Sequence, residues 1–180
     1  MTRSETLGRM LFRGFLPIIL PVELSATLAL EQIYAVGLET VEFSARRHNV
    51  LQLVAQTKRS FPRVAVGVSG LVEDGRVRQH LLSRGMEMPS LAEAGADFLS
   101  SNVPFTAQTY ERYRDTHILM PGVSTPGEAM AATDLGANLL RFTVPHVAGG
   151  MGYLRALDQL TSQSLPICTV GPVRFELQAG

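Results

Sequence analysis

The stretch His117-Ile-Leu-Met-Pro-Gly-Val-Ser-Thr-Pro-Gly-Glu128 decides the fold predicted for this chain. Its first four residues, His117 to Met120, form a short apolar run that is typical of a buried strand. A helix follows from Thr125 to Leu135. A buried strand that passes directly into a helix is the repeating half of a parallel βαβ unit.

The same alternation extends from this stretch toward both ends of the chain. Strands are predicted at Leu16–Leu20, Thr40–Phe43, Arg63–Val68, Ala96–Ser100, His117–Met120, Asn138–Phe142 and Leu165–Thr169. Helices are predicted over 25–36, 50–60, 106–115, 125–135 and 152–160. Strands that alternate with helices indicate an α/β fold with a parallel sheet and right-handed crossovers.

A recurring glycine marks where three helices end and turn into the next strand. The three segments are Ala35-Val-Gly-Leu-Glu39, Ala92-Glu-Ala-Gly-Ala-Asp97 and Thr133-Asp-Leu-Gly-Ala-Asn138. Glycine is the usual residue just beyond a helix C-terminus. No glycine-rich phosphate turn follows the first strand, which favours a barrel over a doubly wound sheet.

Composition fits one domain over residues 1–180 and excludes some partners. The 16 basic and 16 acidic residues cancel, whereas nucleic acids and anionic membranes attract a basic surplus. We therefore predict no nucleic-acid partner and no membrane partner. A net charge near zero also favours self-association.

The N-terminal segment and the single cysteine give information about the cellular compartment. The apolar run Phe15–Val22 is too short to cross a bilayer and contains two prolines. No convincing signal cleavage site follows it. Cys168 is the one cysteine, so it forms no internal disulfide, and its apolar setting is typical of a buried thiol. The protein is predicted to be cytoplasmic.

The stretch His117–Glu128 also contains the most specific part of a family resemblance. The chain resembles the 2-keto-3-deoxy-6-phosphogluconate (KDPG) / 4-hydroxy-2-oxoglutarate aldolases through Leu38–Arg46, Val64–Val68, Leu91–Asp97, Met120–Glu128 and Leu140–Phe142 with Gly149 and Gly150. The resemblance implies a TIM-barrel-like (β/α)₈ fold of which the last βα unit is missing. It further implies a carbon–carbon lyase that acts on 2-oxo acids such as pyruvate through a lysine Schiff base, and a homotrimer.

When the catalytic residues of the family are matched to this chain, one is retained and another is replaced. The general acid/base glutamate matches Glu42, and the basic residue four positions further on matches Arg46. The Schiff-base lysine falls on Arg141. Arginine stays protonated and cannot attack a ketone. The chain has a single lysine, Lys58, on the helix predicted outside the barrel.

The substrate-binding positions are retained only in part. The arginine that holds the substrate carboxylate falls on Pro21, and the third-strand threonine falls on Gly70. A proline after the fourth strand falls on Asn102. The family's phosphate-binding segment after the seventh strand leaves Thr169 and Gly171 as candidate substrate-binding residues, together with Arg46.

Glu42 and Arg141 allow two interpretations. Glu42 alternates with the apolar Val41 and Phe43 and should point into the barrel. A buried charge normally survives by pairing, so a Glu42–Arg141 ion pair that stabilises the fold is expected. The alternative is a pair of solvated side chains that bind a ligand.

The remaining polar clusters carry weaker hypotheses. Arg46, Arg47 and His48 follow the second strand, where they either bind a carboxylate or phosphate or form a solvated loop. His146 could form a metal site with Glu42 and His48, but no metal-ligand spacing in the sequence supports that set. No metal and no cofactor are predicted.

Two departures from the family pattern have structural consequences. Residues 71–89 form an insertion after the third strand, predicted to overhang the functional face as a lid or partner surface, with Val77, Leu81 and Leu82 facing inward. The missing eighth unit exposes strand edges. Either the alternating segment Val173–Leu177 fills the gap, or another subunit covers it, or the chain is a fragment.

The sequence thus predicts an aldolase-family barrel without Schiff-base activity that binds a small 2-oxo acid or a phosphorylated ligand. One alternative is an active lyase in which Glu42 is the base and Arg141 stabilises the enolate. Another is a protein that acts through assembly.

Overall fold

Parallel strands and helices alternate along the chain in the computed structural model, which describes residues 2–14, 16–19, 26–83, 86–142, 150–160 and 165–169. The strands are β1 (Ile18–Ile19), β2 (Thr40–Ser44), β3 (Ala65–Leu71), β4 (Phe98–Ser101), β5 (Ile118–Met120), β6 (Leu140–Phe142) and β7 (Ile167–Thr169). The helices are α1 (Arg3–Arg13), α2 (Ala26–Ala35), α3 (Val50–Ser60), α4 (Gly75–Leu82), α5 (Met88–Glu93), α6 (Ala107–Tyr113), α7 (Pro126–Leu135) and α8 (Gly150–Leu160).

The strands follow one another in space in the order of the sequence. The first five form one parallel sheet in the order β1-β2-β3-β4-β5, and β6 pairs with β7. Backbone hydrogen bonds join the sheets, from Asn138 N to Leu119 O at 3.0 Å, from Arg141 N to Pro121 O at 2.9 Å and from Val123 N to Arg141 O at 2.9 Å. This is the strand order of a TIM-barrel-like α/β fold, and among the described strands β1 and β7 do not pair.

The glycines predicted to end three helices adopt the backbone conformation that this role requires. Gly37, Gly95 and Gly136 have φ values of 75°, 98° and 103°. Only glycine enters this region without steric cost, so each one lets the chain reverse from a helix into the next strand.

Two local features explain the specific residues of the stretch His117–Glu128. Gly122 packs against the backbone of the loop after β4, because a Cβ on it would lie 2.1 Å from the Asn102 carbonyl carbon. Thr125 and Glu128 form a reciprocal capping box at the start of α7, in which Pro126 is among the first helical residues. This stretch therefore fixes both a close approach of two loops and a helix start.

Helix α1 is an element that the sequence did not predict. It begins with a capping box between Thr2 and Glu5 and ends at Gly14, whose φ is 62°. Met10 is buried against the barrel interior together with Phe98, Ile118, Met120 and Leu139. Arg9 holds the helix in place through Glu39 Oε2 at 2.6 Å and the carbonyl of Arg63, and Arg3 donates to the carbonyl of Arg114.

The 71–89 segment departs from its prediction at one residue. Helix α4 lies within this segment, begins at the Asp74 N-cap and buries Leu81 as expected. Val77, however, is 56% exposed. Val77 lies one turn before Leu81 on the same side of α4, so burial on this side of the helix is limited to its last turn. Among the described residues no helix is long and apolar enough to cross a membrane.

Candidate functional site

Strand alternation carries Glu42 into the barrel. Val41 and Phe43 pack outward in the main hydrophobic core against the helices, and Glu42 between them points inward. Its Cα partners on the neighbouring strands are Ile18 and Gly67. The side chain is completely buried, with 0% exposure.

Arg141 reaches Glu42 from the far side of the barrel. Leu140 and Phe142 face outward on β6, so Arg141 faces inward and is only 3% exposed. Its Nη1 lies 2.8 Å from both Oε1 and Oε2 of Glu42 and donates to Ser100 Oγ at 2.7 Å. The predicted ion pair is therefore confirmed as a buried contact.

The geometry of this pair differs from the two-nitrogen fork that arginine and carboxylate often form. One nitrogen carries two protons and serves three acceptors, so the contact with the two carboxylate oxygens is shared. The Nε of Arg141 is buried with no partner in the described part of the chain. The guanidinium therefore keeps unused donor capacity inside the barrel.

Burial and ion pairing shift the pKa of Glu42 in opposite directions. Burial raises the pKa of Glu42 above its ordinary value, whereas the Arg141 charge and hydrogen bonds from Ser69 and Arg141 lower it. Burial is the largest of these effects. Removing one partner would leave the other as an uncompensated charge in the interior.

Cys168 lies next to the pair on β7. It is the Cα partner of Arg141, and it packs with the interior cluster that contains Phe98 and Met120. The residue is half-buried rather than fully buried, and burial raises the pKa of its thiol. The thiol is consequently protonated near neutral pH and is a poor nucleophile.

Phe98 and helix α1 fill the barrel on the amino-terminal side of the pair. The Phe98 ring covers Gly67 so closely that a Cβ there would lie 1.9 Å from a ring carbon. Below it, Met10 of α1 packs against Ile118 and Met120. The polar site is thus confined to the carboxyl-terminal half of the strands, which is where TIM-barrel enzymes hold their ligands.

The structure places the other predicted site residues unevenly. Arg46 is exposed in the turn after β2, where its backbone N–H donates to Ser44 Oγ at 3.2 Å. Thr169 is the exposed last residue of β7. Gly171 lies outside the described residues, as do Pro21, His146 and the segment Val173–Leu177. In the described ranges no group of three or more His, Cys, Asp or Glu side chains is arranged to hold a metal.

The single lysine is engaged outside the barrel. Lys58 lies on α3, where its Nζ is 2.8 Å from Asp97 Oδ2 and 3.4 Å from the carbonyl of Val64. The same Asp97 oxygen accepts from the N–H of Val66 at 2.8 Å. Lys58 therefore ties α3 to the amino-terminal ends of β3 and β4.

Two interior serines were not predicted from the sequence. Ser69 and Ser100 are nearly or fully buried and contact Glu42 and Arg141, respectively. Each follows an inward-facing residue by two positions, Gly67 on β3 and Phe98 on β4. That period-2 spacing was the signal that would have assigned them to the same interior face.

Comparison with known proteins identifies the framework. The family model for KDPG and KHG aldolase matches residues 15–176. No curated protein matches the chain in sequence.

Several solved structures share the fold. A 4-hydroxy-2-oxoglutarate/2-dehydro-3-deoxyphosphogluconate aldolase superposes with a TM-score of 0.74 at 20% identity, over 96% of this chain and 80% of the other. The Zymomonas mobilis KDPG aldolase bound to 3-phosphoglycerate gives 0.69 at 21% identity, over 88% and 70%. The Legionella pneumophila KDPG aldolase, with pyruvate captured as a covalent carbinolamine, gives 0.69 at 22% identity, over 88% and 71%.

Proposed function

The chain belongs to the KDPG and KHG aldolase family, and from this we propose that it binds a small 2-oxo acid or a phosphorylated ligand without forming a Schiff base. One observation supports the proposal most strongly. The interior partner of Glu42 is a guanidinium, Arg141, at 2.8 Å. The amine of Lys58 is meanwhile bound to Asp97 on the outer layer.

The chemistry of the two side chains explains why the Schiff-base route is closed. Carbinolamine formation needs a neutral amine that attacks the carbonyl carbon of the substrate. A guanidinium does not lose its proton at working pH and offers only hydrogen-bond donors. Arg141 therefore suits the carboxylate or carbonyl oxygen of an oxo acid, and its Nε, which has no partner among the residues that the structure describes, supplies a donor for that purpose.

Borohydride trapping with pyruvate tests this proposal. We expect no mass increase on the protein after reduction, because the single lysine of the chain, Lys58, is bound to Asp97 outside the barrel. The Legionella pneumophila KDPG aldolase, which has been captured with pyruvate as a covalent carbinolamine, serves as the positive control. A stoichiometric adduct, mapped by peptide mass spectrometry to Lys58, would falsify the proposal.

Calorimetric titration with pyruvate and with 3-phosphoglycerate tests the binding half of the proposal. We expect Arg46→Ala, in the turn after β2, to weaken the binding of whichever ligand is bound. Arg76→Ala, an exposed arginine on α4, is the matched control and should leave the affinity unchanged. Absence of heat with both ligands at millimolar concentration contradicts a binding role.

A second candidate is a lyase that cleaves a 2-oxo acid through an enolate. The observation that favours it is the raised pKa of Glu42, since a base works best when its pKa approaches the operating pH. Arg141 would stabilise the enolate oxygen. Exchange of the pyruvate methyl protons in D₂O, followed by NMR, separates the two candidates, because only an enolising protein catalyses it. An aldol-cleavage assay with and without divalent metal completes the comparison.

The wider biological setting is also part of the proposal. We propose a cytoplasmic homotrimer, a form supported by the neutral net charge and by the exposed Phe12 at 84%. In this proposal Thr169 and Gly171 contact the ligand's phosphate or carboxylate, and residues 71–89 border the binding face of a single domain. A protein that acts only through assembly is the remaining alternative, and it predicts no ligand binding in either titration.

A further inference from the structure

A cavity lies between α4 and α6, apart from the Glu42–Arg141 pair. It has a volume of about 390 Å³ and is enclosed by the end of β3, helix α4, the segment 86–89 and helix α6. None of the residues that contact the ion pair lines it. Small-molecule sites in proteins commonly have volumes of ~300–1,000 Å³, so this α4–α6 cavity is large enough for a small ligand.

The inner wall of the α4–α6 cavity is apolar. Leu71, Leu81 and Met86 line it and are buried. Met88 also lines it, with its sulfur 3.7 Å from the Thr109 hydroxyl. Methionine side chains adapt their shape to what they contact, so this wall suits a short hydrocarbon chain.

The two helices bring one arginine each to the cavity. Arg78 on α4 and Arg112 on α6 are exposed and line it from the two sides. Neither forms an ion pair with another residue that the structure describes. Of the two acidic residues at the cavity, Glu73 has its oxygens occupied by Thr106 and Thr109. Glu87 is exposed and, within the described ranges, forms no ion pair with either arginine, so the two guanidinium groups retain donors for an anion.

Tyr113 adds an unpaired hydrogen-bonding group to the same cavity. Its side chain lines the space and is only 6% exposed. Its hydroxyl is buried without a partner among the described residues, and burial raises its pKa, which keeps the hydroxyl protonated at neutral pH. Buried hydroxyls are normally paired, so the Tyr113 hydroxyl can offer a hydrogen bond to a polar group bound in the cavity.

We propose that the α4–α6 cavity is a binding site for a small amphipathic anion, a carboxylate or phosphate monoester attached to a short hydrocarbon chain. The anionic group lies between Arg78 and Arg112. The hydrocarbon chain packs on Leu81 and Met86. This site is independent of the barrel interior, so it stands or falls separately from the function proposed for Glu42 and Arg141.

Calorimetric titration with four probes tests the class of ligand. Octanoate and monooctyl phosphate carry both features, octan-1-ol lacks the charge, and acetate lacks the chain. We expect one or both amphipathic anions to bind at least tenfold more tightly than octan-1-ol and acetate, and the tighter of the two identifies the anionic group. Equal affinity for octan-1-ol, equal affinity for acetate, or no binding of either amphipathic anion overturns the proposal.

Variants of the cavity test its location. Arg78→Ala and Arg112→Ala should each weaken binding by about tenfold, through loss of a charge-assisted hydrogen bond. Arg76→Ala, on the same helix but not at the cavity, should have no effect. Tyr113→Phe should weaken binding without lowering the Tm of the ligand-free protein, because it removes an unpaired hydroxyl. Binding that is unchanged in the Arg78→Ala/Arg112→Ala double variant overturns the site.

Discussion

Arg141 determines the chemistry of the barrel interior around Glu42. The position where the resemblance predicts a lysine holds Arg141, and its Nη1 contacts both oxygens of Glu42 and the hydroxyl of Ser100. An amine at this position would be a nucleophile. A guanidinium is a permanent cation that compensates the buried carboxylate and remains available only for hydrogen bonding.

The strength of this pair can be measured by a double-mutant cycle. Arg141→Ala should lower the free energy of unfolding by about 3–5 kcal/mol, because it leaves the carboxyl group of Glu42 buried without its ionic partner. Removal of both charges in Glu42→Ala/Arg141→Ala should cost less than the sum of the single changes. Urea unfolding provides the free energies, and Arg155→Ala, an exposed arginine on α8, is the control.

Small, additive effects of the two single substitutions would contradict the buried pair. In that case Glu42 and Arg141 would be solvated side chains. Arg141→Lys is a separate comparison, since it restores an amine but not the carboxylate-binding arginine or the threonine, whose positions hold Pro21 and Gly70. We therefore expect Arg141→Lys to show no aldolase activity.

The pair was predictable from the sequence, whereas its surroundings were not. Glu42 and Arg141 each lie between two apolar strand residues, and this alternation alone places them inside. Ser69 and Ser100 obey the same period, but serine is also common in loops and on surfaces. The close packing of Phe98 on Gly67 depends on which strands are neighbours, which the local pattern does not encode.

At the scale of elements, helix boundaries followed the predictions closely and strand lengths did not. Helix α3 and the end of α7 coincide with the predicted ranges. Strand β1 begins at Ile18 instead of Leu16, and β3 continues to Leu71 instead of ending at Val68. Helix ends are marked by caps and glycines in the sequence, whereas a strand ends where its neighbour ceases to pair.

Helix α1 was missed although its signals are present in the sequence. Thr2 and Glu5 have the spacing of a capping box, and Gly14 follows the last helical residue. Three arginines lie in this segment. Their charge suggested a polar stretch that precedes the apolar run Phe15–Val22 instead of a helix with a buried face. Its burial depends on Phe98 and Ile118, which are distant in sequence.

Helix α6 depends on a carboxylate that comes from another element. Glu73, in the segment before α4, accepts hydrogen bonds from the backbone N–H of Thr106 at 2.6 Å and from the hydroxyl of Thr109. It thereby serves the N-terminal end of α6, where a negative charge is favourable.

Glu73→Ala should lower the free energy of unfolding by about 1–2 kcal/mol, the usual cost of losing an N-terminal capping carboxylate. Urea denaturation gives this value. Glu111→Ala, an exposed residue within α6, is the matched control and should change stability by less than about 0.5 kcal/mol. Equal effects of the two substitutions would show that Glu73 does not act at the helix end.

At the scale of the whole molecule, the amino-terminal end of the barrel is closed and one surface is unusually apolar. Helix α1 covers that end through Met10. Its outer side exposes Leu11 and Phe12, and the end of α2 exposes Tyr34 and Val36. A Cβ on Gly37, just after α2, would lie 3.8 Å from Arg13 Nη2, so the ends of α1 and α2 that carry these exposed side chains lie near each other.

We expect this patch to be covered by subunit contacts in a trimer. Light scattering coupled to size exclusion at micromolar concentration should give the trimer mass for the wild-type chain and a smaller mass for Phe12→Glu. Met130→Glu, an exposed methionine on α7 at 54% exposure, is the control and should remain trimeric. A monomeric wild-type protein would reject the trimer, and a trimeric Phe12→Glu would place the interface elsewhere.

Both oxygens of Glu42 are held by one nitrogen of Arg141. This contact links the binding of an anion in the barrel to the uptake of a proton from the solvent. An oxo-acid carboxylate that draws Arg141 toward itself leaves Glu42 without its cation. Burial already raises the pKa of Glu42, and loss of the arginine contact raises this pKa further, which favours uptake of a proton by the carboxylate. Each anion would then enter together with one proton, and the barrel interior would remain electrically neutral in both its empty and its occupied state.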